Sequence, residues 1–316
     1  MATPFLSSNA SSLRRAGTLL GATTALLGLL VVAVRPWYSS WGSSVEEQHG
    51  RPAVAVSRGL ELREVRAVSI QAPAQQVFAW LAQLGQDRAG FYSYDVLENL
   101  AGCRMPRIER LEPSLQHWSI GDRLWMYPAD ELGGAGYARL VEYRPASALV
   151  FETRSPGADA AAAATGLWSL EVRATGASSS RLIASGFGSS PPSLIGAAFN
   201  RTVFEPMHFA MERRMLKGIA RLAEGAPISA SQDVAMVVLW ALTFMVFIAS
   251  ALLALFGQRW RLRLLNFVAA GLVFQVLTLG QPSLLLGVPL VAGLLLLTWA
   301  PRRELGEQLK RLAPII

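Results

Sequence analysis

Residues 61–84, ELREVRAVSIQAPAQQVFAWLAQL, change their apolar period at Ala72-Pro73. Glu61 to Ile70 reads as a strand, with Val68 and Ile70 on one face. Pro73 opens a helix, where its missing N–H costs nothing because first-turn donors have no intrahelical partner. Ala74 to Leu84 then carries Val77, Phe78, Leu81 and Leu84 at helical spacing. Downstream, strands are expected at Asp122–Tyr127, Tyr137–Tyr143, Ala148–Thr153, Gly166–Arg173 and Arg181–Phe187, each bounded by Gly, Pro or Ser. Gly157 to Thr165 reads as a loose hairpin loop, or as a turn of helix through its alanines. A long helix, about Phe204 to Glu224, closes the set. Its stripe is Met207, Met211, Met215, Ile219 and Leu222, with Glu212, Arg213, Lys217 and Arg221 off it, and Gly225 and Pro227 end it. Residues 60–225 therefore predict an α+β domain, a curved antiparallel sheet around a long C-terminal helix.

The rest of the chain is of another kind. Of 316 residues, 52% are hydrophobic and only 16% charged, against about 25% charged in an ordinary soluble domain. Four apolar runs account for this: Thr18–Val34, Val234–Phe256, Leu264–Gly280 and Leu284–Ala300. Each suits a transmembrane helix, and the uncharged turn Gln281-Pro282-Ser283 suits a hairpin between the last two. The first run is read as an uncleaved anchor rather than a signal peptide, because Val-Arg-Pro stands where a small-x-small cleavage pattern would be needed. Trp37, Tyr38, Trp41, Trp260 and Trp299 lie at run ends, where aromatic rings prefer the interface. The expected order is a tail 1–17, a span 18–34, a linker 35–59, the domain 60–225, spans 234–256, 264–280 and 284–300, and a tail 301–316.

The net charge of +7 follows the same division. Residues 36–233 hold 19 basic and 20 acidic residues, whereas the flanks hold 10 basic and 2 acidic. A basicity confined to the flanks of apolar runs sets topology and does not make a nucleic-acid surface. Arg14, Arg15, Arg259, Arg261, Arg263, Arg302, Arg303, Lys310 and Arg311 share one side if there are four spans. Both termini are then expected in the cytoplasm and the domain outside it, with Arg35 dissenting. The runs hold no Asp, Glu, Lys, Arg or His, which argues against a pump or coupled transporter. Gly17 and Gly21 make one small-xxx-small pair, so any homo-oligomer is expected to form through the spans.

The stretch from Ile70 through Ala72-Pro73 to Val77, Phe78, Trp80 and Leu81 resembles the opening of START-like, or SRPBCC, domains. Gly121-Asp122 before a strand and the closing Pro206 to Met215 are also similar to bacterial members. The resemblance covers residues 60–225 and implies a helix-grip fold enclosing an apolar cavity. Lipid carriers, hormone-binding proteins, polyketide cyclases and co-chaperones share that fold, so it transfers no single activity.

Cys103 is the sole cysteine, and His49, His117 and His208 lie far apart, so neither a disulfide nor a zinc or di-iron site is expected. No cofactor and no catalytic residue is assigned. Leu84 to Gly102 gathers Asp87, Arg88, Tyr92, Tyr94, Asp95 and Glu98 among glycines. It reads either as a lid, with Arg88 pairing an anion, or as turn residues leading into a short surface helix. Trp118 and Trp125 line a cavity or fill a core; His208 is a base reaching inward or a satisfied structural histidine; Met211 and Met215 fit an adaptable pocket or an ordinary core face. The expected ligand-binding set is therefore Arg88, Tyr92, Tyr94, Trp118, Trp125, His208, Met211 and Met215. The leading expectation is a membrane-anchored domain holding an apolar small molecule or lipid. The alternatives are a cyclase/dehydratase-type enzyme, using His208, His117, Asp95 or Glu98 for proton transfer, and a ligand-free interaction module with a filled core.

Overall fold

The computed structural model describes residues 4–131, 134, 136–153, 166–189, 193–257 and 259–299. The expected loop Gly157–Thr165 and tail 301–316 lie outside the described residues. The chain divides into two compact units, Leu30–Val234 and the pair Met1–Leu29 with Ala235–Ile316.

In chain order, α1 (Pro4–Leu29) runs through a π turn at Leu30–Val34 into α2 (Arg35–Ser39), and α3 (Ala53–Ser57) follows. Then come β1 (Glu61–Ile70), α4 (Ala74–Leu81), α5 (Asp95–Leu100), β2 (Arg123–Trp125), β3 (Tyr137–Arg144), β4 (Ala148–Thr153), β5 (Gly166–Gly176) and β6 (Ser179–Gly188). After β6, α6 (Leu194–Phe199) passes through a second π turn at Asn200–Phe204 into α7 (Glu205–Ala223). The last helices are α8 (Ala230–Phe256), α9 (Trp260–Gln275), which ends in a π turn at Val276–Gly280, and α10 (Leu284–Trp299).

The expected α+β class holds. Six antiparallel strands form one sheet in the order β1-β6-β5-β4-β3-β2. The punctuated strands were legible because short loops join neighbours in an antiparallel meander. The bounds shift by up to three residues in β3, β5 and β6, β2 has only three residues, and α4 stops at Leu81, after which Leu84 is buried. One face of the sheet packs on α4 and α7. Ile70, Leu140, Leu149, Phe151, Trp168, Leu170 and Leu182 meet Val77, Leu81, Met215, Leu216 and Ile219 there in one buried cluster.

The stretch expected as linker, 35–59, is built into the domain. Tyr38 is fully buried, and the Ala67 N–H donates to the Trp41 carbonyl at 3.0 Å, covering the edge of β1. Gly42 makes this approach possible, since it has a positive φ of 70° and a Cβ there would overlap the Ala67 carbonyl. Ala55 and Leu60 cover Val150, Leu167 and Phe187 on the opposite face of the sheet. A sheet with two apolar faces needs two covers, and this segment is the second.

The long helix also departs from expectation. It begins ten residues earlier, at α6, and the expected stripe faces inward at Met215, Ile219 and Leu222 but not at Met207. Met207 is exposed, whereas Phe209, Glu212 and Arg213 are buried. The buried face is thus wider than the stripe, and charge patterning concealed this because Glu212 points inward to a buried partner. Gly218 sets the approach of α7 to the chain at Tyr92, where a Cβ would overlap the Tyr92 carbonyl oxygen.

In the other unit, α1, α8 and α9 belong to three helical stretches long and apolar enough to cross a membrane, Ser12–Ser39, Ala230–Phe256 and Trp260–Gly280. Leu284–Thr298 is a shorter apolar helix, preceded by the left-handed Gln281 at φ 42°. The Arg15 guanidinium donates to the Gly257 carbonyl at 2.8 Å, and the Gln275 amide donates to the Leu26 carbonyl at 3.0 Å. The second bond joins two apolar helices through a polar side chain.

Candidate functional site

β1 alternates its side chains between the two faces of the sheet, so Glu64, Arg66, Val68 and Ile70 all point toward α7. The Ile70 end is apolar and the Glu64 end is charged. Across from Glu64 stands Gly186, whose missing side chain leaves space for the Glu64 carboxylate. Next in the same row come Trp168 and Phe151. From α7, Glu212 and His208 face this row one helical turn apart.

The result is a charged cluster at one end of the sheet. The Arg66 guanidinium, with no exposed surface, donates to Glu212 Oε2 at 2.6 Å and Glu64 Oε2 at 2.5 Å, and to the Tyr38 carbonyl at 3.0 Å. The Trp168 indole N–H donates to Glu212 Oε1 at 2.7 Å. His208 Nδ1 lies 3.2 Å from Glu64 Oε1. Its ring stacks on Phe204 at 5.7 Å and meets the edge of Trp168 at 6.3 Å. His208 keeps 31% of its side chain exposed and Glu64 14%, so these two form the outer rim of the cluster.

Electrostatics follow from the pairing. Burial works against the charge on Glu64, but Arg66 and then His208 outweigh it and hold the carboxyl well below its usual range. Burial likewise opposes a charged His208, and the hydrogen bond to Glu64 with the charges of Glu212 and Glu64 outweighs that, raising its pKa. A raised histidine pKa stabilises the folded state fully below about 6.5, the unfolded value, and this contribution is lost as pH rises through the folded value. His208→Gln is therefore expected to lose stability relative to the parent in mildly acidic buffer, with the gap closing as pH rises. Denaturant titrations of both proteins across that range check this; a gap that widens with pH refutes it.

Glu64, His208 and Glu212 offer three ligand atoms within 4.8 Å of one another, a set that could hold a metal ion. Arg66 already bridges both carboxylates, so the protein supplies the positive charge an ion would bring.

The other expected site residues fall in different places. Arg88 donates to the carbonyls of Ala82 and Leu115 and lies over the Trp118 ring at 4.4 Å. Its hydrogen bonds thus pin two loops instead of waiting for an anion. The Trp118 indole donates to the Ala82 carbonyl at 2.7 Å and packs edge-on to Phe151. Tyr92 is buried at φ 55°, and its hydroxyl accepts from the Gln83 amide at 2.8 Å. Tyr94 and Met215 are buried. Met211 is half-buried, its carbonyl bonded by the Ser93 hydroxyl. Trp125 packs on Tyr137 and Arg123 beside the short strand β2. His117 is exposed. Of the expected set, Tyr92, Trp118 and Met215 share one buried cluster and Arg88 lies over Trp118, whereas His208 joins a charged cluster whose other members, Glu64, Arg66 and Glu212, were not singled out. Two acidic residues and an arginine inside strand and helix patterns were the available signal.

Residues 95–100 do form the short helix, but Asp95 is buried and ion-paired to Arg107 at 2.5 Å. Arg107 also holds Asp233 at 2.7 Å, which Arg214 holds at 2.8 Å. Burial, with the nearby Asp95 charge, pushes the Glu98 carboxyl up to about 8.

The space between sheet and α7 is occupied by Trp80, Tyr92, Trp118, Phe151 and Trp168. Two hollows of about 230 Å³ each lie elsewhere. One opens on the other face of the sheet and is lined by charged groups including Glu47, Arg51, Arg144 and Arg173; the other surrounds Arg259–Leu262.

No family model matches the chain, and no curated protein matches it. A solved structure, of protein MLL2253 from Mesorhizobium loti, is similar over 51% of this chain and 98% of its own length, at 13% identity and a TM-score of 0.28.

Proposed function

We propose that this chain is a membrane-anchored domain of helix-grip type that binds a single lipid or lipid-like amphiphile at the rim formed by Phe204, His208 and Glu64. The observation that supports it is the junction of exposed apolar helix surface with a charged rim: Phe204 is exposed and lies flat against His208, which reaches Glu64. An acyl chain along the helix surface and a polar head at the rim match that junction. Packing of the interior by large aromatics favours a bound molecule on the outside of the helix over one stored beneath the sheet. The strand–helix–meander–long helix order supports the helix-grip reading, as does the resemblance at residues 70–81.

Four spans remain part of this reading, with Leu284–Thr298 crossing as a short helix. That crossing decides which side the C-terminus occupies, because an odd number of spans would separate it from Arg14 and Arg15. With four, the domain lies outside the cytoplasm. Arg35, the dissenting charge, pairs with Glu205 at 2.6 Å, so it is neutralised within the domain and does not count against that orientation.

Native mass spectrometry of the full chain released from lipid nanodiscs tests the binding reading. A one-to-one lipid adduct is expected in the parent and a several-fold weaker one in Phe204→Ser and His208→Gln. Equal adduct retention in all three proteins would remove the rim from consideration.

Proton transfer at the same rim is the second reading, favoured by the His208–Glu64 pair at 3.2 Å. It predicts that Glu64→Gln abolishes turnover of a lipidic substrate while leaving the adduct in place.

A further inference from the structure

The helix that carries His208 overshoots the sheet. From Ser193, whose hydroxyl accepts the Gly196 N–H at 3.0 Å as an N-cap, helical backbone continues through α6 and the π turn into α7. This overhang leaves apolar side chains in the open: Leu194 is 90% exposed, Ile195 83%, Phe199 59%, Val203 45%, Phe204 48% and Met207 55%. Large apolar groups left uncovered in one contiguous stretch mark a surface made for a partner.

The neighbours identify the partner. Residues 200–204 pack beside Leu30–Val34, within the same compact unit. Leu30–Val34 lies within Ser12–Ser39, a stretch long and apolar enough to cross a membrane, and Val32 there is 76% exposed. One turn later Arg35 pairs with Glu205 at 2.6 Å, and Asn200 donates to the same carboxylate at 2.8 Å. The overhang thus starts at the level where the span leaves the apolar phase, marked by Arg35 and the half-exposed Trp37, and continues beside turns that are themselves apolar and uncovered.

Its polar content fits the same medium. Between Leu182 and Phe204 Arg201 is the single charged residue. The Thr202 hydroxyl donates to the Ala198 carbonyl at 2.7 Å, as hydroxyls do in membrane helices. Arg201 has a stem long enough to lift its charge to the headgroups. The ten helical rises from Leu194 to Phe204 span about 15 Å at about 1.5 Å each, no more than one leaflet of a hydrocarbon core of about 30 Å.

We propose that residues 193–207 are a second, interfacial anchor, seated in the outer part of the bilayer beside the exit of the first span, with lipid acyl chains as their contact. The anchor does not depend on the amphiphile site. Its consequence is that the rim at Phe204 and His208 sits at headgroup level, where a bilayer lipid reaches it without crossing water.

The test uses the full chain in a Cys103→Ser background, reconstituted in phosphatidylcholine vesicles, with an environment-sensitive nitrobenzoxadiazole label on Ile195→Cys. Ile120→Cys, on the domain surface and also exposed, is the water-facing control. Emission at 195 is expected to shift to the blue and to be quenched several-fold more by lipid-borne nitroxide than by aqueous iodide, with the reverse at 120. Quenching at 195 by iodide as strong as at 120 places the segment in water and overturns the proposal. Shielding at 195 from both quenchers places it against a second copy or another protein, and overturns it equally. Lipid quenching at 195 together with loss of the one-to-one adduct keeps the anchor and removes only the amphiphile site.

Discussion

Replacing Arg66 with methionine is expected to destabilise the domain by about 3–5 kcal/mol, the cost of stranding buried charge. Arg66 has no exposed surface and its guanidinium faces two carboxylates, Glu64 and Glu212, within 2.6 Å. Methionine has similar length and fills the volume, so the loss reports charge and not a cavity. Without the guanidinium, Glu64 and Glu212 repel each other in a site that water reaches only at the Glu64 rim, and the Tyr38 carbonyl loses its donor. Chemical denaturation of the full chain in micelles, followed by tryptophan fluorescence, gives the number. Adding Glu64→Gln and Glu212→Gln to Arg66→Met is expected to recover most of the loss, because neutral amides no longer need a cation. A loss below about 1 kcal/mol, the range of exposed pairs, would show that the cluster is solvated.

Phe209→Ala is expected to cost a similar amount, about 3–5 kcal/mol for a buried aromatic reduced to a methyl. The Phe209 ring is fully buried. It stacks on Tyr38 at 5.3 Å, receives the edges of Trp37 at 5.7 Å and Trp41 at 6.3 Å, and lies under the Arg66 guanidinium at 5.0 Å. It therefore fastens residues 37–41 to the long helix. The variant should show earlier proteolytic cutting within residues 42–60 as well as a lower unfolding midpoint. Met207→Ala, two residues away, should change stability by less than about 0.5 kcal/mol, as expected of an exposed side chain. The contrast decides which residues face inward at the start of α7; equal losses at 207 and 209 would show Met207 to be buried as well.

How far the sequence could be read depends on how local each signal is. The change of period at Ala72-Pro73, the Gly, Pro and Ser punctuation of the meander and the apolar runs are each read from neighbours along the chain, and each led to an element the structure contains. The stripe was right at Met215, Ile219 and Leu222 but misled at Met207, because apolarity was taken as the mark of the inner face along its whole length. Glu212 and Arg213 are buried on that helix, and a charge is tolerated inside only beside a partner. That partner, Arg66, lies 146 residues away from Glu212. Tyr92, Trp118 and Arg88 were expected to contact a ligand, yet their hydrogen bonds end on neighbouring segments of the chain, which no spacing rule reveals.

The chain's own order of residues determined that an α+β domain with an antiparallel meander is joined to helices apolar enough for a bilayer, since period and hydropathy act through neighbours along the chain. Only the tertiary structure decided that Glu64, Arg66, His208 and Glu212 form one cluster, that 35–59 covers a sheet face, and that the long helix overruns the sheet with its apolar side bare. Those facts depend on which distant surfaces meet, and burial, which fixes the value of a charge or an apolar ring, exists only once they have met.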